Sequence, residues 1–522
     1  MKDYLQEARK LIMAGEHQAA MTLLDKFQRK NKIEGQDRIT LSGLYRSIGK
    51  YDKAFKALGP LILTQANDQL SQDELNVSVA QARLLNAMGC KFLSGRLFFE
   101  IDLYLKQTAQ SYSGQPILFF YNYFANTLIE QGHMVEAREM MALFKKSIER
   151  APHEQLASSN AWYYYHETSW RIESYLGNFS ESDFHLEKLH ELIKSAELYW
   201  FVIYHNRKAC QCIYQHDFTQ AREQLDKTAV LLQQHPGAFP GEQIFWYRMM
   251  AQSHIEKGEN EIAVSFLQTM LSKSRAVSDA PEIIIGGFYY MDKIAPQLLT
   301  LGDRVALRNH PNSNYFSYLA GRALGGRDAN LLPFWCREEL PGASEGDCWI
   351  VQDGAITAKS YLKEREKILA LIAEHTSPMI DLVSGIVQTE EDKIILSDVQ
   401  HRTLLAISGA GSLSVDKWSL MEFVYRQTFL QVETGLDRLA KVVTGLRKMG
   451  LDITLTNNDY RVDLSNFSFQ VFPMIWHQIG IHNISIQADG RIDREVLEKH
   501  LGVKASTAKS WLTEWKKKGL AA

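Results

Sequence analysis

Small and apolar residues recur along the first three hundred positions in a pattern that predicts pairs of packed helices. Six short segments begin with Gly or a substitute and place Ala or Ser five residues later: GEHQAA (15–20), GKYDKA (49–54), GHMVEA (132–137), GNFSES (177–182), HDFTQA (216–221) and GENEIA (258–263). GCKFLS (89–94) is a weaker copy. A second small residue usually stands seven positions earlier, at Ala8, Ser42, Ala82, Ala125, Ala209 and Ala251, with Trp170 as the exception.

Each copy predicts one hairpin of two helices. Gly ends the first helix because it adopts a left-handed conformation at little cost, and the two small residues let the paired backbones approach closely. The pattern resembles a tetratricopeptide array, whose turn is similar to G-x-[FY]-x-x-A, with Tyr51, Phe179 and Phe218 at the aromatic position. Most copies are 39 to 45 residues apart, whereas the consensus repeat has 34 residues. The helices must therefore be longer than those of the consensus repeat. The resemblance covers residues 1–300 and implies an α-solenoid.

In such arrays a concave surface is formed by the first helix of each hairpin, at positions ten and six residues before the Gly. Polar residues there could bind a peptide backbone or a carboxylate. They could equally solvate the groove or hydrogen-bond between repeats, and both interpretations stay open. The candidate groove residues are Asn122, Asn126, Glu167, Arg171, Asn206, Cys210, Arg248 and Gln252.

Residues 301–378 are interpreted as a connecting segment of helix and loop. The Gly-rich stretch that ends in LPGASEGDCW (340–349) predicts a loop. AKSYLKEREKILALIAEHTSP (358–378) has apolar residues at helical spacing and predicts a helix that ends before Pro378.

From Met379 the pattern changes to short β-rich runs followed by amphipathic helices. MIDLVSGIVQTEEDKIILSD predicts a hairpin around EEDK. VQHRTLLAISGAG predicts a helix that buries Leu404, Leu405 and Ile407, and SVDKWSLMEFVYR a second helix with Ser414 as its N-cap. GLDRLAKVVTGLRKMG predicts a third helix, and DITLTNNDYRVDL a hairpin that turns at the two asparagines.

This order of elements resembles the C-terminal DNA-binding domain of OmpR-type response regulators. The resemblance depends on LSDVQHRTLL before the first helix, on VTGLRKMG at the end of the third, and on NDYRV in the hairpin. Asp459 replaces the glycine that this family has in the hairpin motif. The resemblance implies a winged helix-turn-helix over residues 379–465. The sequence departs from this family in that no alternating strands and helices of a phosphate-accepting receiver domain are predicted ahead of it.

On a helical wheel the third helix has an apolar face, Leu436, Leu439, Val443 and Leu446, which we expect in the core. The opposite face is basic, as a helix that enters the major groove requires. We therefore expect its long side chains to contact base edges and phosphates, together with a cation on the hairpin. Gly445 also points away from the core, and the candidate DNA-binding residues are Thr434, Arg438, Lys441, Thr444, Arg447, Lys448 and Arg461.

The last part of the chain, residues 466–522, predicts a second helix-turn-helix unit. DREVLEKHLGVKASTAKSWLTEWKKKGL (493–520) indicates a helix, a turn at Gly502 and another helix, and it resembles the motif of many bacterial regulators without their wing. The unit could bind DNA or could serve in dimerisation or docking. Its outward residues are Ser506, Lys509, Ser510, Thr513 and Lys517.

Charge supports this division of the chain. Residues 393–522 hold 17 Lys and Arg against 13 Asp and Glu, a net charge of +4, whereas the other residues hold 41 against 48, a net charge of −7. Since this basic excess is modest, we expect DNA affinity to need a homodimer or both units together. The absence of a run of eighteen apolar residues predicts no membrane span, and five cysteines, an odd and small number, favour a reducing cytoplasm.

The sequence thus predicts a mainly α protein: a solenoid followed by winged helix-turn-helix units. No metalloprotease, nucleophile-elbow or phosphate-loop motif occurs, so we predict no enzyme and no cofactor. The expected function is transcriptional regulation, with double-stranded DNA as one partner and a protein, peptide or small ligand in the groove. The alternative is a scaffold, similar to solenoid and winged-helix assemblies of the proteasome-lid type, in which both parts bind proteins.

Overall fold

The computed structural model describes the chain over residues 2–13, 16–31, 33–48, 50–60, 70–108, 115–153, 156, 159–193, 198–235, 239–277, 281–311, 347–352, 354–361, 364, 367, 368, 370, 377–390, 392–425, 432–474 and 504–517. The chain divides into two compact units, residues 1–192 (unit 1) and 193–522 (unit 2). It is mainly helical, with an array of paired helices first and a sheet-containing region after it.

The helices of unit 1 are α1 (Lys2–Met13), α2 (His17–Lys30), α3 (Gly35–Ser47), α4 (Tyr51–Leu58), α5 (Gln72–Ala87), α6 (Lys91–Gln107), α7 (Gln115–Leu118), α8 (Phe120–Glu130), α9 (Met134–Arg150), α10 (Ala161–Leu176) and α11 (Phe179–Ile193). Sequence neighbours pair: α1 with α2, α3 with α4, α5 with α6, and α8 with α9. Tyr163 on α10 donates a hydrogen bond to the Leu192 carbonyl on α11 at 2.9 Å, so these two helices also pair. The first helices of successive pairs also contact each other.

Unit 2 begins with the same arrangement. Its first helices are α12 (Leu198–Tyr214), α13 (Phe218–Gln234), α14 (Pro240–Glu256), α15 (Asn260–Val277), α16 (Pro281–Ile294) and α17 (Leu301–Asn309). α12 pairs with α13 and α14 with α15, and α16 packs against α15. The prediction of helix pairs is therefore confirmed in both units.

The residues that carried this prediction occupy the positions that it requires. Every small residue of the pattern within the described part of the chain is buried, from Ala8 and Ala20 in the first pair to Ala251 and Ala263 in the α14–α15 pair. The turn residues Gly89, Gly132, Gly177 and Gly258 have φ between 75° and 82°. His216, the substitute for Gly, has φ 60° and is thus held in a conformation that disfavours a residue with a Cβ.

A six-stranded sheet follows the helices of unit 2. Its strands are β1 (Asp347–Gln352), β2 (Ala355–Ser360), β3 (Met379–Asp381), β4 (Ile386–Gln388), β5 (Lys393–Ile395) and β9 (Phe469–Pro473), in the order β2-β1-β9-β3-β4-β5. β9 lies antiparallel to β1 and parallel to β3, and the other neighbours are antiparallel. The predicted hairpin around EEDK is the β4–β5 pair.

This sheet corrects three sequence-based expectations. Asp347–Trp349, predicted as loop, belongs to β1, and Ala358–Ser360, predicted as helix, ends β2. Helical residues start only at Tyr361. β9 was not predicted at all. The reason is non-local pairing: Ile350 of β1 lies opposite Val471 of β9, and a pairing over such a distance leaves no local signal.

A smaller domain of three helices and three strands is inserted between β5 and β9. Its elements are α18 (Asp398–Gly409), β6 (Val415–Asp416), α19 (Lys417–Tyr425), α20 (Val432–Lys448), β7 (Asp452–Thr456) and β8 (Asp459–Asp463), and its sheet has the order β6-β8-β7. Leu404, Leu405 and Ile407 of α18 are buried as predicted. Ser397 and Gln400 form a capping box at the start of α18.

The predicted N-cap of α19 was wrong. Asp416 caps this helix, because its Oδ1 accepts hydrogen bonds from the backbone N–H groups of Trp418 and Ser419, both at 2.9 Å. Ser414 instead lies ahead of β6, where its carbonyl contacts His310 Nε2 at 3.0 Å. Two residues of strand thus separate Ser414 from the helix.

α17 connects the helical part of unit 2 with this smaller domain. Ser412 N–H donates to the Gly302 carbonyl at 3.1 Å, and Asn309 Nδ2 donates to the Pro473 carbonyl at 3.2 Å. Leu413 shares one hydrophobic core with Ile285 and Phe288 of α16. A displacement of α16 or α17 would therefore act directly on the segment that leads into β6 and α19.

Candidate nucleic-acid interface

The third helix of the smaller domain, α20, is amphipathic in the structure. Leu439, Val443 and Leu446 are at most 1% exposed, and the helix packs against α18, α19 and β7. Gly435 is buried at its start, whereas Leu436, expected in the core, is only half-buried. On the wheel Leu436 lies about 65° from the centre of the buried face, which explains its intermediate position.

The opposite face of α20 is open to solvent and mainly basic. Arg438, Lys441 and Lys448 are exposed, together with one acidic residue, Asp437. None of these three cations forms an ion pair within the described part of the chain. The remaining candidates on this face, Thr434 and Thr444, are exposed, and Gly445 is half-buried.

Arg447 has a different environment from the other cations of the helix. Its Nε donates a hydrogen bond of 2.6 Å to the carbonyl of Ile453 in β7. Its positive charge also lies near Tyr460, where it opposes the effect of burial, which raises the pKa of that phenol. Arg447 therefore holds the hairpin to the end of α20, a contact that the wheel could not predict.

β7 and β8 form a tight hairpin beside α20. Asn457 and Asn458 turn the chain with φ 53° and 77°, and two consecutive positive φ angles are typical of a two-residue hairpin turn. Arg461 is exposed on β8, opposite Thr454. The predicted turn and the predicted exposure of Arg461 thus agree with the structure.

The charge of this hairpin is less favourable to a polyanion than that of α20. Three aspartates, Asp452, Asp459 and Asp463, accompany the one cation Arg461. A backbone hydrogen bond from Ser465 lowers the pKa of Asp463, so this carboxylate stays charged. One further cation, missed by the sequence reasoning, lies at the turn: Lys417 Nζ donates to Asn458 Oδ1 at 3.0 Å.

Part of the second predicted unit lies outside the described residues. Its first helix falls at 493–503, which the structure does not describe, and its second is α21 (Ala505–Lys517). Ala508 is buried. The outward candidates Ser506, Lys509, Ser510 and Thr513 are exposed, and the side chain of Lys517 is outside the described part of the structure.

The candidate groove residues of unit 1 form hydrogen bonds between neighbouring helices. Asn122 on α8 is buried and accepts a hydrogen bond from Thr168 on α10 at 3.0 Å. Asn126 accepts one from Arg171 at 2.7 Å. Glu167 is half-buried on the same helix as Arg171. A ligand that contacts Asn122 would have to displace a bond that joins two repeats.

The corresponding residues of unit 2 are similarly placed. Asn206 is buried on α12 and donates to the carbonyl and to Oε2 of Glu242 on α14, at 3.1 and 2.8 Å. Cys210 and Gln252 are buried, and burial raises the pKa of the Cys210 thiol. Arg248 is half-buried, with its guanidinium 4.8 Å from the ring centroid of Phe245.

The chain matches no protein-family model and no curated protein. The contacts described above are therefore the basis for any functional assignment.

A buried polar cluster beside β3 contains the residue types of a hydrolase triad in a different arrangement. Ser384 Oγ and Tyr361 OH both donate to Asp381 Oδ2, at 2.6 and 2.8 Å. His401 Nε2 is 2.7 Å from the Leu382 carbonyl. Burial raises the pKa of Asp381 despite these hydrogen bonds. Since the Ser384 hydroxyl donates directly to the carboxylate, the geometry stabilises the turn after β3 and does not activate a nucleophile.

Among the described residues, no three His, Cys, Asp or Glu side chains converge as metal ligands. None of the helices there has the length and apolar character that crossing a membrane requires.

Proposed function

We propose that this chain is a DNA-binding transcriptional regulator in which residues 397–463 act as a winged helix-turn-helix and α20 as the recognition helix. The proposal depends on one observation: α20 buries one face against α18 and α19, while its other face exposes three cations that form no ion pair with any described residue. The α18-β6-α19-α20-β7-β8 order and the β6-β8-β7 sheet support it, since a wing is a hairpin that follows the recognition helix.

The dimensions and charges of α20 suit the major groove of DNA. Its 17 residues span about 25 Å at 1.5 Å per residue, and the major groove admits a helix of this kind. Arg438 and Lys441 lie in the second and third turns of the helix, from which long side chains reach base edges. Lys448 lies in the last turn and is suited to a phosphate.

The tetratricopeptide-like helix pairs would provide the sensing part. Leu413 and Ser412 contact α16 and α17, so a ligand that shifts these helices would change the position of β6 and α19. We propose that regulation is a shift between two populations of this contact, one of which favours DNA binding.

Fluorescence anisotropy with a labelled random duplex at two salt concentrations tests this function. On a random duplex binding is mainly electrostatic, so Lys441 neutralises phosphate charge there as Lys448 does. Lys441→Ala combined with Lys448→Ala should therefore weaken binding and reduce the slope of log Kd against log salt by about 1.8, or 0.9 for each neutralised phosphate that is lost. The matched control is Lys227→Ala combined with Lys257→Ala, which removes two exposed lysines from α13 and from the end of α14. Equal slopes for the two double variants would contradict the assignment of α20.

A protein-binding scaffold is the second candidate, and the charge of the β7–β8 hairpin favours it. Asp452, Asp459 and Asp463 would repel a phosphate backbone but suit a basic protein surface. The same titration separates the two functions, because a scaffold would show no salt-dependent binding of the duplex at micromolar protein.

A further inference from the structure

A cluster of arginine and tyrosine side chains lies across the first helices of unit 1. Arg46 is on α3, Arg83 on α5, Tyr123 on α8 and Tyr164 on α10. These helices contact one another in sequence order, α3 with α5, α5 with α8, and α8 with α10. Four helix pairs therefore contribute to one surface that no sequence motif marks.

Aromatic contacts fix the geometry of the cluster. Arg83 Nη1 donates to the Tyr123 hydroxyl at 3.1 Å, and the Arg83 guanidinium is 4.4 Å from the Tyr123 ring centroid. Tyr123 stacks on Phe119 with a centroid distance of 6.0 Å, and Phe119 meets Tyr164 edge to face at 5.6 Å. The two tyrosines thus contact the same phenyl ring, and Arg83 contacts one of these tyrosines, Tyr123.

The two arginines of the cluster have no acidic ion-pair partner among the described residues. Arg46 is half-buried, and its pKa is lowered first by burial and then by the positive charge of Arg83, with Tyr51, Tyr123 and Tyr164 opposing this effect. Within the described part of the chain, neither arginine forms an ion pair. The acidic group that acts on the cluster is Glu167, whose charge affects Tyr164.

A shielded guanidinium normally has a carboxylate partner, because an unpaired charge is costly to remove from water. Among the charges that act on Arg46, that of Arg83 has the largest effect on its pKa, and it has the same sign. A bound anion would supply the missing partner of Arg46 and would also reach Arg83, which is exposed to solvent. Guanidinium groups form forked hydrogen bonds with phosphate and carboxylate, and tyrosine hydroxyls add single donors.

We propose that Arg46, Arg83, Tyr123 and Tyr164 form a binding site for a phosphate monoester that carries a planar organic group. Two guanidinium groups match the two negative charges of a phosphate monoester, whereas a carboxylate would leave one of them unpaired. The exposed Tyr164 ring offers an apolar surface to the organic group. This site would define the class of ligand that the proposed sensor binds. Only the regulatory role of that ligand rests on the proposed function.

Isothermal titration calorimetry of the full chain tests the site with phenyl phosphate, inorganic phosphate and benzoate as probes. Phenyl phosphate should bind more tightly than the other two. Arg46→Gln and Arg83→Gln should each weaken its binding on the order of tenfold or more, since each removes a charge-assisted contact. Arg83→Lys, which keeps the charge and loses the fork, should fall between these variants and the native chain.

Arg96→Gln on α6 is the matched control, since it removes an exposed arginine that pairs with Glu100, and it should leave phenyl phosphate binding unchanged. Circular dichroism of each variant verifies that it is folded. Lack of phenyl phosphate binding at millimolar concentration, equal binding of benzoate, or unchanged affinity in both glutamine variants would overturn the proposal. Duplex binding is also measured on the same samples in the absence of phenyl phosphate. This measurement distinguishes a failure of the phosphate site from a failure of the DNA-binding function.

Discussion

Two buried histidines should make the stability of unit 1 sensitive to mild acid. His166 on α10 and His185 on α11 are each 8% exposed, and their Nδ1 atoms are 3.0 Å apart. One Nδ1 must donate and the other accept, so the accepting ring is neutral, and burial disfavours a charge on the donating ring. Burial lowers the pKa of each to about 4 from an ordinary 6.5, and for His166 the charge of His185 adds to this effect.

The sign and size of the effect follow from proton binding. Because the folded pKa is lowered, the unfolded chain takes up protons below pH 6.5 while the folded chain does not, so the free energy of unfolding falls as pH drops from 6.5 towards 4. At pH 5 each imidazole that stays neutral lowers the free energy of unfolding by about 2 kcal/mol, because each pH unit below 6.5 contributes about 1.36 kcal/mol.

Urea unfolding at pH 7.5 and pH 5, followed by tryptophan fluorescence, measures this difference. His166→Gln combined with His185→Gln should lose most of the pH dependence, because glutamine does not titrate. His17→Gln combined with His153→Gln replaces two exposed histidines of the same unit and should keep it. If the buried double variant lost as much stability between pH 7.5 and pH 5 as the native chain, the neutral pair would not be its cause.

Four other substitutions test local features through thermal or urea unfolding. His216→Gly should raise the free energy of unfolding by about 1 kcal/mol, because a side chain at φ 60° is strained and Gly is not; a decrease would contradict this. Gly411→Ala should destabilise by more than about 2 kcal/mol, since its Cβ would lie 2.0 Å from the Gly302 carbonyl oxygen; a neutral result would exclude this close approach. Asp416→Ala should cost about 1 kcal/mol as a lost N-cap and Ser414→Ala clearly less, and the reverse order would restore Ser414 as the cap.

The helix pairs could be predicted because their signals are local. Gly132 and Ala137 are five residues apart and Ala125 lies seven before the turn, so one hairpin contains the whole pattern. Each member then meets a steric requirement: Gly132 has φ 80°, and both alanines are fully buried. The basic face of α20 was predictable for the same reason, since a wheel uses only the spacing within one helix.

The six-stranded sheet could not be predicted in this way. β1 is paired on one side with β2, which follows it directly, but on the other side with β9, and the smaller domain is inserted before β9 begins. Cys348 and Trp349 are consecutive and both buried, so β1 lacks the alternation of a strand with one exposed face. A buried strand with a distant partner is then hard to distinguish from a loop rich in turn residues.

The arginine and tyrosine cluster, the proposed binding site, could not be predicted from the sequence for a similar reason. Arg83 lies six residues before Gly89 and so occupies one of the groove positions defined for the other repeats. The copy of the motif that contains Gly89 is, however, the weak one. Tyr123 and Tyr164 lie outside the counted positions. Their association depends on which helices are neighbours and on the shared contact with Phe119, and neither can be read from spacing along one helix.

The uneven charge of the smaller domain determines how it would approach DNA under the proposed function. Arg438, Lys441 and Lys448 give α20 an attractive face, while three aspartates surround Arg461 on the hairpin. In water two unit charges 4 Å apart interact by about 1 kcal/mol, so each aspartate near a phosphate can cancel one favourable contact. The helix would therefore supply the attraction, and the hairpin would contact the backbone only where Arg461 and Lys417 face it. A single domain of this kind makes few net phosphate contacts, so tight binding requires a second set of cations, from α21 or from a second chain.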